Sequence, residues 1–322
     1  MVPKKANPSE LNEFRSISLV GCIYKILSKV LANRLRKVLP SVIDANQSAF
    51  LEGRGLLDSV LVANETVDFL KKEKKSGVLV KVDFEIAYDS VNWKFLYYMM
   101  GRLGFSPIWI KWIKACMESA SVSVLVNGSP TKEFKPKRGL RQGDPLAPFL
   151  FLIVAESLIG LMRNARSADL FKGVEVGSQR VQVDLLKFAD DMLFFCSPMY
   201  HNVLVIKVML RSFELVSGLK VNFHKSTVGA VGISELDLRV FSKCLNSRHM
   251  SLPFKYLGMP IGGNPKKTVF WNSVVDKIRS RLSIWKERLL SMACRICLIK
   301  SVISTLPLLY FSFFKTPVSV CN

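Results

Sequence analysis

The chain has 322 residues, of which 49% are hydrophobic and 22% charged, and this balance excludes an intrinsically disordered protein because it supplies ample apolar surface for a core. Its 46 Lys and Arg residues outnumber 25 Asp and Glu, which gives a formal net charge of +21 and a pI near 9.8. So large a basic excess indicates a polyanionic partner, either a nucleic acid or an anionic membrane surface. Nine Lys and Arg residues between positions 266 and 300 are interleaved with tryptophan and aliphatic residues, which favours nucleic acid over a merely solvated basic helix face.

The mean hydropathy of +0.25 is high for a soluble protein, so membrane spans need to be considered. The longest apolar stretches, residues 149–155 and 306–314, are too short to cross a bilayer, and the N-terminus lacks the apolar segment of a signal peptide. The seven cysteines are scattered and odd in number, which is typical of reduced thiols in an intracellular protein. We therefore expect a nuclear or cytoplasmic protein without a membrane partner.

Two helices and a strand are predicted in the first quarter of the chain. Apolar residues recur at helical spacing from 23 to 38, where Pro40 is expected to end the helix, and again from 57 to 69. Residues 78–84 are β-branched and apolar, as in a central strand. That strand carries Asp83, and burying an unpaired carboxylate is costly, so Asp83 is a candidate functional residue.

Helices and a hairpin are predicted next. Asp89 and Ser90 are expected to cap a helix over residues 91–102, and a second helix follows over residues 109–117. Residues 121–126, followed by Asn127 and Gly128, predict a β-hairpin that returns through Phe134.

A glycine-flanked loop then precedes an apolar helix. Asp144 is predicted as the N-cap of a helix over residues 146–162, with Pro145 as its first residue. Gly139 and Gly143 flank Arg141 and Gln142, and such glycines permit close approach by a ligand, while the amides of a helix N-terminus suit a phosphate. The alternative is that these residues serve only to begin the helix and bind no ligand.

The most informative stretch is residues 185–195 (LLKFADDMLFF), in which two apolar runs flank adjacent carboxylates. This pattern predicts two short buried strands joined by a turn that carries Asp190 and Asp191. Two like charges so close together repel each other, and divalent cations, which prefer carboxylate oxygens, would offset them. The alternative is a solvated turn.

The remaining third is read as a helix over residues 203–216, a strand over 219–226, a Gly-rich turn at 256–263 and helices over 271–289 and 292–306. Together the elements indicate an α+β body with a mostly helical basic tail.

Asp83 at the end of one strand and Asp190 with Asp191 at a hairpin tip can meet in one sheet. Three converging carboxylates suit a pair of metal ions about 3.5–4 Å apart that promotes in-line phosphoryl transfer.

Several motifs then resemble those of reverse transcriptases in their order along the chain. Residues 83–89 (DFEIAYD), 141–146 (RQGDPL) and 188–191 (FADD) look like three core motifs of the family. The flanking motifs are similar to the non-LTR (LINE-type) branch, in particular to plant elements; they are residues 14–19 (FRSISL), 46–54 (NQSAFLEGR), 256–260 (YLGMP) and 284–301. The resemblance implies a right-hand polymerase fold of fingers, palm and thumb, with an antiparallel palm sheet packed on helices.

The resemblance also implies domains and an activity. The fingers would be residues 1–77, the palm residues 78–263 with an inserted fingers hairpin and the primer grip, and the thumb residues 264–322, which is basic and truncated. The activity would be that of an RNA-directed DNA polymerase that transfers deoxynucleotides onto a primer 3′ end. Its partners would be an RNA template, a DNA primer and dNTPs, and its cofactor two Mg²⁺ ions.

Individual residues acquire roles by the same resemblance. Asp83, Asp190 and Asp191 would hold the metal ions, and Tyr88 would exclude a ribose 2′-hydroxyl by its size. Lys225 would donate a proton to the leaving pyrophosphate, with Lys220 as the alternative. The substrate-binding residues would be Arg15, Tyr88, Arg141, Gln142 and Gly143, with Lys4 or Lys5 as further candidates for the triphosphate. The primer grip would be Tyr256, Leu257, Gly258 and Met259.

Two positions depart from the family pattern, because Ile86 stands where a Lys is usual and Ser16 where a Pro is usual. Neither removes a metal ligand, but Ile86 removes a charge near the active strand. By the resemblance, the chain would begin inside the polymerase region, and the endonuclease and RNase H regions expected of such elements would be missing from it. The alternatives are therefore an inactive retroelement relic that only binds nucleic acid, a maturase-like intron protein and, least favoured, a scaffold with incidental carboxylates.

Overall fold

The structure is a computed structural model that describes residues 2–3, 7–10, 13–15, 17–126, 128–284 and 290–321. The chain divides into two compact units, Met1–Met250 and Ser251–Asn322. Lys4, Lys5, Ser16 and Asn127, together with the predicted helical residues 285–289, lie outside the described residues.

Strands and helices alternate along the chain. In the described ranges the strands are β1 (Val2–Pro3), β2 (Phe14–Arg15), β3 (Gly77–Val82), β4 (Leu125–Val126), β5 (Ser129–Pro130), β6 (Val174–Val176), β7 (Val181–Val183), β8 (Leu185–Phe188), β9 (Asp191–Cys196), β10 (Thr227–Val231), β11 (Arg248–His249), β12 (Phe254–Tyr256) and β13 (Met259–Ile261). The helices are α1 (Cys22–Val42), α2 (Leu56–Lys72), α3 (Trp93–Arg102), α4 (Pro107–Glu118), α5 (Ala147–Ser167), α6 (Tyr200–Ser217), α7 (Glu235–Leu245), α8 (Thr268–Ile284), α9 (Met292–Leu298), α10 (Leu308–Phe311) and α11 (Val318–Cys321). A π-helical turn, Ile299–Ile303, continues α9.

A five-stranded sheet lies at the centre of the first unit, with the order β11-β10-β3-β9-β8. The pairs β10–β3, β3–β9 and β9–β8 are antiparallel, and β10–β11 at the edge is parallel. The α+β class is thus confirmed, with one parallel pair added to the antiparallel sheet that was expected. Strand β3 lies in the middle because nearly all of it is apolar and buried on both faces.

Helix α5 forms the centre of the helical layer and contacts α1, α3 and α6. By length and composition alone it could cross a membrane, but 67% of its apolar window is buried within the protein. Burial among the other helices accounts for its apolar composition, since 13 of its 21 residues are buried.

Three predicted helix ends were wrong. Pro40 does not end α1, which runs on to Val42, because a proline in the last turn removes only one hydrogen bond. Helix α3 begins after Asn92, whose side chain accepts from the amides of Lys94 and Phe95, so Asp89 and Ser90 are not its caps. Helix α5 begins at Ala147, and Asp144 instead accepts from the amide of Leu146 at 3.0 Å.

The strand predicted over residues 219–226 is replaced by a single bridge between Val221 and Phe84 and then a turn. Asn222 causes the turn, since its side-chain oxygen accepts from the amide of Lys225 at 3.0 Å and its carbonyl accepts from the amide of Ser226 at 2.8 Å. The regular strand, β10, starts only after this turn. Helix α7 and the β6–β7 hairpin were not predicted.

The second unit combines the β12–β13 hairpin with helices, so the Gly-rich turn was predicted correctly. Leu257 and Gly258 have φ values of 49° and 87°, as the two central residues of a type I′ turn require. The unit has an aromatic core in which Trp271 is 1% exposed and packs at 5.9 Å from Tyr310, ring centre to ring centre. The indole nitrogen of Trp271 donates to the carbonyl of Pro265 at 2.8 Å.

Candidate active site

The register of β3 and β9 brings the predicted acidic residues together. Val82 pairs with Met192 in an antiparallel ladder, so Asp83, which follows Val82, faces Asp191, which precedes Met192. Asp190 precedes Asp191 in the turn that joins β8 to β9. Three carboxylates from two distant parts of the sequence therefore lie together where β3 ends and β9 begins, and they form the acidic edge of the sheet.

The charges of these carboxylates act on one another. The pKa of Asp191 is raised, first by burial and then by the negative charges of Asp190 and Asp83, while the nearby Lys81 opposes the shift. Asp83 and Asp190 are exposed. Within the described ranges, no group of three or more His, Cys, Asp or Glu side chains is placed so that it could hold a metal ion. The oxygen atoms of Asp83, Asp190 and Asp191 are nonetheless of the hard type that binds divalent cations, and a cation would offset their mutual repulsion.

Tyr88 lies beside this acidic edge. Its ring stacks on Phe151 at 4.8 Å, and its pKa is raised by burial and by the charge of Asp190. Its carbonyl accepts a hydrogen bond from the amide of Leu140 at 2.7 Å. The predicted ribose gate is thus adjacent to the acidic turn and to the glycine-flanked loop.

Gly139 holds this loop against the chain that follows Tyr88. It has a left-handed φ of 89°, and a Cβ atom there would lie 2.4 Å from the carbonyl oxygen of Asp89. Its amide donates to the carbonyl of Val91 at 2.8 Å, and the indole of Trp93 donates to its carbonyl at 2.8 Å. Only glycine permits so close an approach of two backbones.

Arg141 is engaged inside the protein. Its guanidinium group donates to the carbonyl of Cys116 at 3.0 Å and to the hydroxyl of Tyr24, and it lies 3.2 Å from a carboxylate oxygen of Asp144. The Tyr24 hydroxyl donates to Asp144 at 2.8 Å. This network anchors the loop on α1, and no local pattern points to Tyr24 because its partners are more than a hundred residues away. Substrate binding by Arg141 stays a prediction.

The rest of the loop is more accessible. The carbonyl of Gln142 accepts from the amide of Ser18 at 2.9 Å, and Gly143 is exposed with a φ of 99°. Arg15 lies in β2, where it pairs with Val2, and its side chain is outside the described part of the structure. The nucleotide-binding roles of Arg15, Gln142 and Gly143 stay predictions.

The segment with the two candidate lysines borders Asp83. The carbonyl of Lys220 accepts from the amide of Glu85 at 2.9 Å, and the amide of Asn222 donates to the carbonyl of Asp83 at 2.8 Å. Lys225 belongs to the turn after Asn222, and both lysine side chains are exposed. They are thus on the segment beside the acidic edge, and proton donation by either stays a prediction.

A buried lysine was not predicted. Lys187 is fully buried below the acidic turn, donates to the carbonyl of Ala155 at 2.7 Å and has its pKa lowered to about 7 by burial, against the charges of Glu156 and Asp190. The pKa of the buried Glu156 is raised by the loss of hydration. The sequence does contain a signal for this residue, because Lys187 is the one charged residue in the apolar run 185–188, where a buried side chain is expected.

The residues of the predicted primer grip form the hairpin of the second unit. The side chains of Tyr256 and Met259 are fully buried in that unit, while Leu257 and Gly258 form its turn. The buried pair therefore fixes the hairpin, whose turn residues Leu257 and Gly258 are half-buried. Contact with a primer stays a prediction.

Comparison with known proteins agrees with this geometry. Residues 2–261 match the family described as "Reverse transcriptase (RNA-dependent DNA polymerase)". The chain is 26% identical to the "Transposon TX1 uncharacterized 149 kDa protein" of Xenopus laevis over 95% of its own length and 23% of that protein. It is 28% identical to the "Retrovirus-related Pol polyprotein from type-2 retrotransposable element R2DM" of Drosophila melanogaster over 72% of its own length and 21% of that protein. It thus spans about a quarter or less of these two relatives.

A similar fold occurs in telomerase from Candida tropicalis, solved in complex with a fragment of telomeric RNA. The TM-score is 0.51 at 15% sequence identity, over 89% of this chain and 46% of the telomerase chain. At this identity the likeness concerns the fold alone.

Proposed function

This chain belongs to the reverse transcriptase (RNA-dependent DNA polymerase) family, and from that premise we propose that it is the polymerase region of a LINE-type retroelement. Its reaction is the addition of deoxynucleotides to the 3′ end of a DNA primer on an RNA template. The observation that carries the proposal is the antiparallel register that sets Asp83 opposite Asp191 and next to Asp190. The family is described as RNA-dependent DNA polymerases, which supports an RNA template here.

The family implies a divalent metal, and we assign two Mg²⁺ ions to Asp83, Asp190 and Asp191. Such ions, when bound, stabilise the attacking and leaving oxygens of an in-line displacement. The pKa of Asp191 is raised by burial and then by the charges of Asp190 and Asp83, and a bound cation would offset the same repulsion between the three carboxylates.

The residues around the carboxylates bind and orient the substrates. Tyr88, fixed by Phe151 and close to Asp190, excludes a ribose 2′-hydroxyl. The nucleotide pocket is lined by Arg15, Arg141, Gln142 and Gly143. Arg141 takes part while its guanidinium group stays hydrogen-bonded to the hydroxyl of Tyr24. Lys225, or otherwise Lys220, gives a proton to the pyrophosphate. The turn formed by Leu257 and Gly258, fixed by the buried Tyr256 and Met259, contacts the primer.

The proposal also divides the chain into the three subdomains of a right-hand polymerase. Residues 1–77 supply the fingers, residues 78–263 the palm and residues 264–322 the thumb. The proposed location is nuclear or cytoplasmic, in keeping with the scattered, odd-numbered cysteines of the sequence.

Primer extension by the purified protein with Mg²⁺, an RNA template and dNTPs tests the proposal. We expect Asp190→Asn to lower the rate by at least about a hundredfold, because removing a charged metal ligand costs several kcal/mol in the transition state. Glu235→Gln is the matched control, since Glu235 is an exposed carboxylate of α7 whose nearest cation is Arg239 at 3.9 Å. Equal rates for wild type and Asp190→Asn would refute the site.

The alternative of an inactive relic gives a different result in the same experiment. Such a protein binds the primer–template through its basic surface, and the binding weakens with salt, but it extends no primer. Binding without extension by the wild type would therefore overturn the proposed activity and leave only nucleic-acid binding.

A further inference from the structure

Residues 46–54 (NQSAFLEGR) include none of the residues to which the proposed function assigns a role. In the structure its first residues run parallel to β8, the edge strand of the central sheet. The amide of Ser48 donates to the carbonyl of Lys187 at 3.0 Å, and the amide of Lys187 donates to the carbonyl of Asn46 at 3.0 Å. The motif therefore covers the outer edge of the hairpin that carries Asp190 and Asp191.

Gln47 reaches from this segment to the acidic turn itself. Its side chain is 1% exposed, and its oxygen Oε1 accepts one hydrogen bond from the amide of Ala49 and one from the amide of Ala189, each at 3.0 Å. Ala189 immediately precedes Asp190. The Gln47 side chain is thus hydrogen-bonded to the residue next to a predicted metal ligand.

Ala189 needs such support because of its backbone conformation. Its φ is 55°, in the left-handed region, which costs a residue with a Cβ about 1–2 kcal/mol. The hydrogen bond from its amide to Gln47 compensates for this strain and fixes the direction in which the chain enters Asp190.

The backbone of Gln47 is in turn held in place by Arg54. The guanidinium group of Arg54 donates to four backbone carbonyls at 2.5–3.1 Å, that of Pro40 in the last turn of α1 and those of Ile43, Asp44 and Gln47 in the loop that follows. One planar cation therefore gathers the loop and fixes the backbone of Gln47. Arg54 closes the same motif in sequence, seven residues after Gln47.

Stability alone does not account for a glutamine at this position. Its amide nitrogen Nε2 is buried and has no hydrogen-bond partner in the described structure. Leaving a buried donor unsatisfied costs about 1–3 kcal/mol, so a residue chosen only for packing would not carry it. The acceptor oxygen is the part of the side chain that is used, and it is used at the acidic turn.

We propose that Gln47 is a positioning residue for the catalytic hairpin, which fixes the turn at Ala189 so that Asp190 and Asp191 are oriented for metal-assisted nucleotidyl transfer. The proposal rests on the proposed function. It assigns Arg54 the task of holding the backbone of Gln47 in place.

The test compares Gln47→Met, which keeps the length of the side chain but removes the acceptor, with Ser59→Ala as the matched control. The hydroxyl of Ser59 donates to that of Ser48 at 2.9 Å, so the control loosens the same segment without touching the turn. We expect Gln47→Met to lower kcat for primer extension about 10–100-fold, with the Kd for primer–template and the KM for dNTP changed by less than about twofold. Ser59→Ala should keep the wild-type kcat.

Hydrogen exchange of the full chain supplies a readout that does not depend on activity. In Gln47→Met the amide of Ala189 should exchange faster, and peptides that cover β3 and α5 should not change. A wild-type kcat and wild-type exchange at the turn would overturn the proposal. So would a fall in kcat accompanied by equal losses of primer–template affinity and of protection throughout the unit.

The two proposals can fail separately. If the wild-type protein extends no primer, the proposed function fails. The exchange measurement then decides the role of Gln47 in positioning the turn: faster exchange confined to residues 188–191 supports it, and unchanged exchange refutes it.

Discussion

At the scale of single residues, the acidic hairpin rests on buried polar side chains whose charges are balanced locally. Lys187 is fully buried, and its ammonium group has the carbonyl of Ala155 and the charge of Glu156 as partners. Arg166 contacts the buried Asp184 at 3.1 Å just before β8. These groups are expensive to bury, so their removal should change how stability depends on pH.

Lys187 makes stability depend on pH in a predictable direction. Its pKa falls from 10.5 to about 7 on folding, so between these values the unfolded chain binds more protons than the folded one. The free energy of unfolding contributed by this group therefore rises with pH across that window, and the full cost of burial is present below about pH 7.

We predict that Lys187→Met flattens this rise, which corresponds to about 1.4 kcal/mol for each pKa unit of the shift. The stability of the variant relative to wild type should therefore be greater near pH 7 than near pH 10. Urea unfolding at several pH values measures the effect, with the exposed Lys243→Met of α7 as the control. A parallel pH profile for Lys187→Met and wild type would show that the lysine is not desolvated in the folded protein.

At the scale of elements, the motif spacing predicted which helices and strands exist more accurately than where they begin. The β8–β9 hairpin follows directly from its two apolar runs and polar turn. Helix starts were misplaced because several short polar residues compete as caps. Asp89, Ser90 and Asn92 all precede α3, and only the backbone geometry selects Asn92.

The cap of α3 gives the element-scale prediction. Asn92→Ala should reduce stability by about 0.5–2 kcal/mol, because the amides of Lys94 and Phe95 lose their acceptor. Asn92→Ser, which keeps a capping oxygen, should recover most of that loss. Thermal unfolding of the three proteins measures the difference. Equal losses in the alanine and serine variants would indicate that the contribution of Asn92 is not its cap.

At the scale of the whole molecule, the net charge of +21 sets the electrostatics of nucleic-acid binding. Helix α8 concentrates part of this charge, since Lys277, Arg279 and Arg281 are exposed along it. Each lysine or arginine that neutralises a phosphate releases counterions, so affinity should fall steeply as salt rises.

We predict that the affinity for an RNA–DNA primer–template falls by at least about tenfold between 50 and 200 mM salt. Replacing Lys277, Arg279 and Arg281 together by Gln should make the slope of log K against log salt less steep by up to about 3. Fluorescence anisotropy at several salt concentrations measures both effects. The matched control replaces Lys111 and Lys114, exposed on α4, by Gln and should leave the slope closer to that of wild type.

The sequence by itself determined the α+β class, the order of the motifs, the acidic hairpin and the basic character, because hydrophobic periodicity, turn residues and charge are local properties. The resemblance of those motifs to reverse transcriptases then pointed to the family that the comparisons support. Tertiary structure alone decided that Asp83 faces Asp191, that Tyr24 and Asp144 hold Arg141, and that Gln47 supports Ala189. Each of these depends on strand register or on contacts between residues more than a hundred positions apart, and local patterns do not encode such pairings.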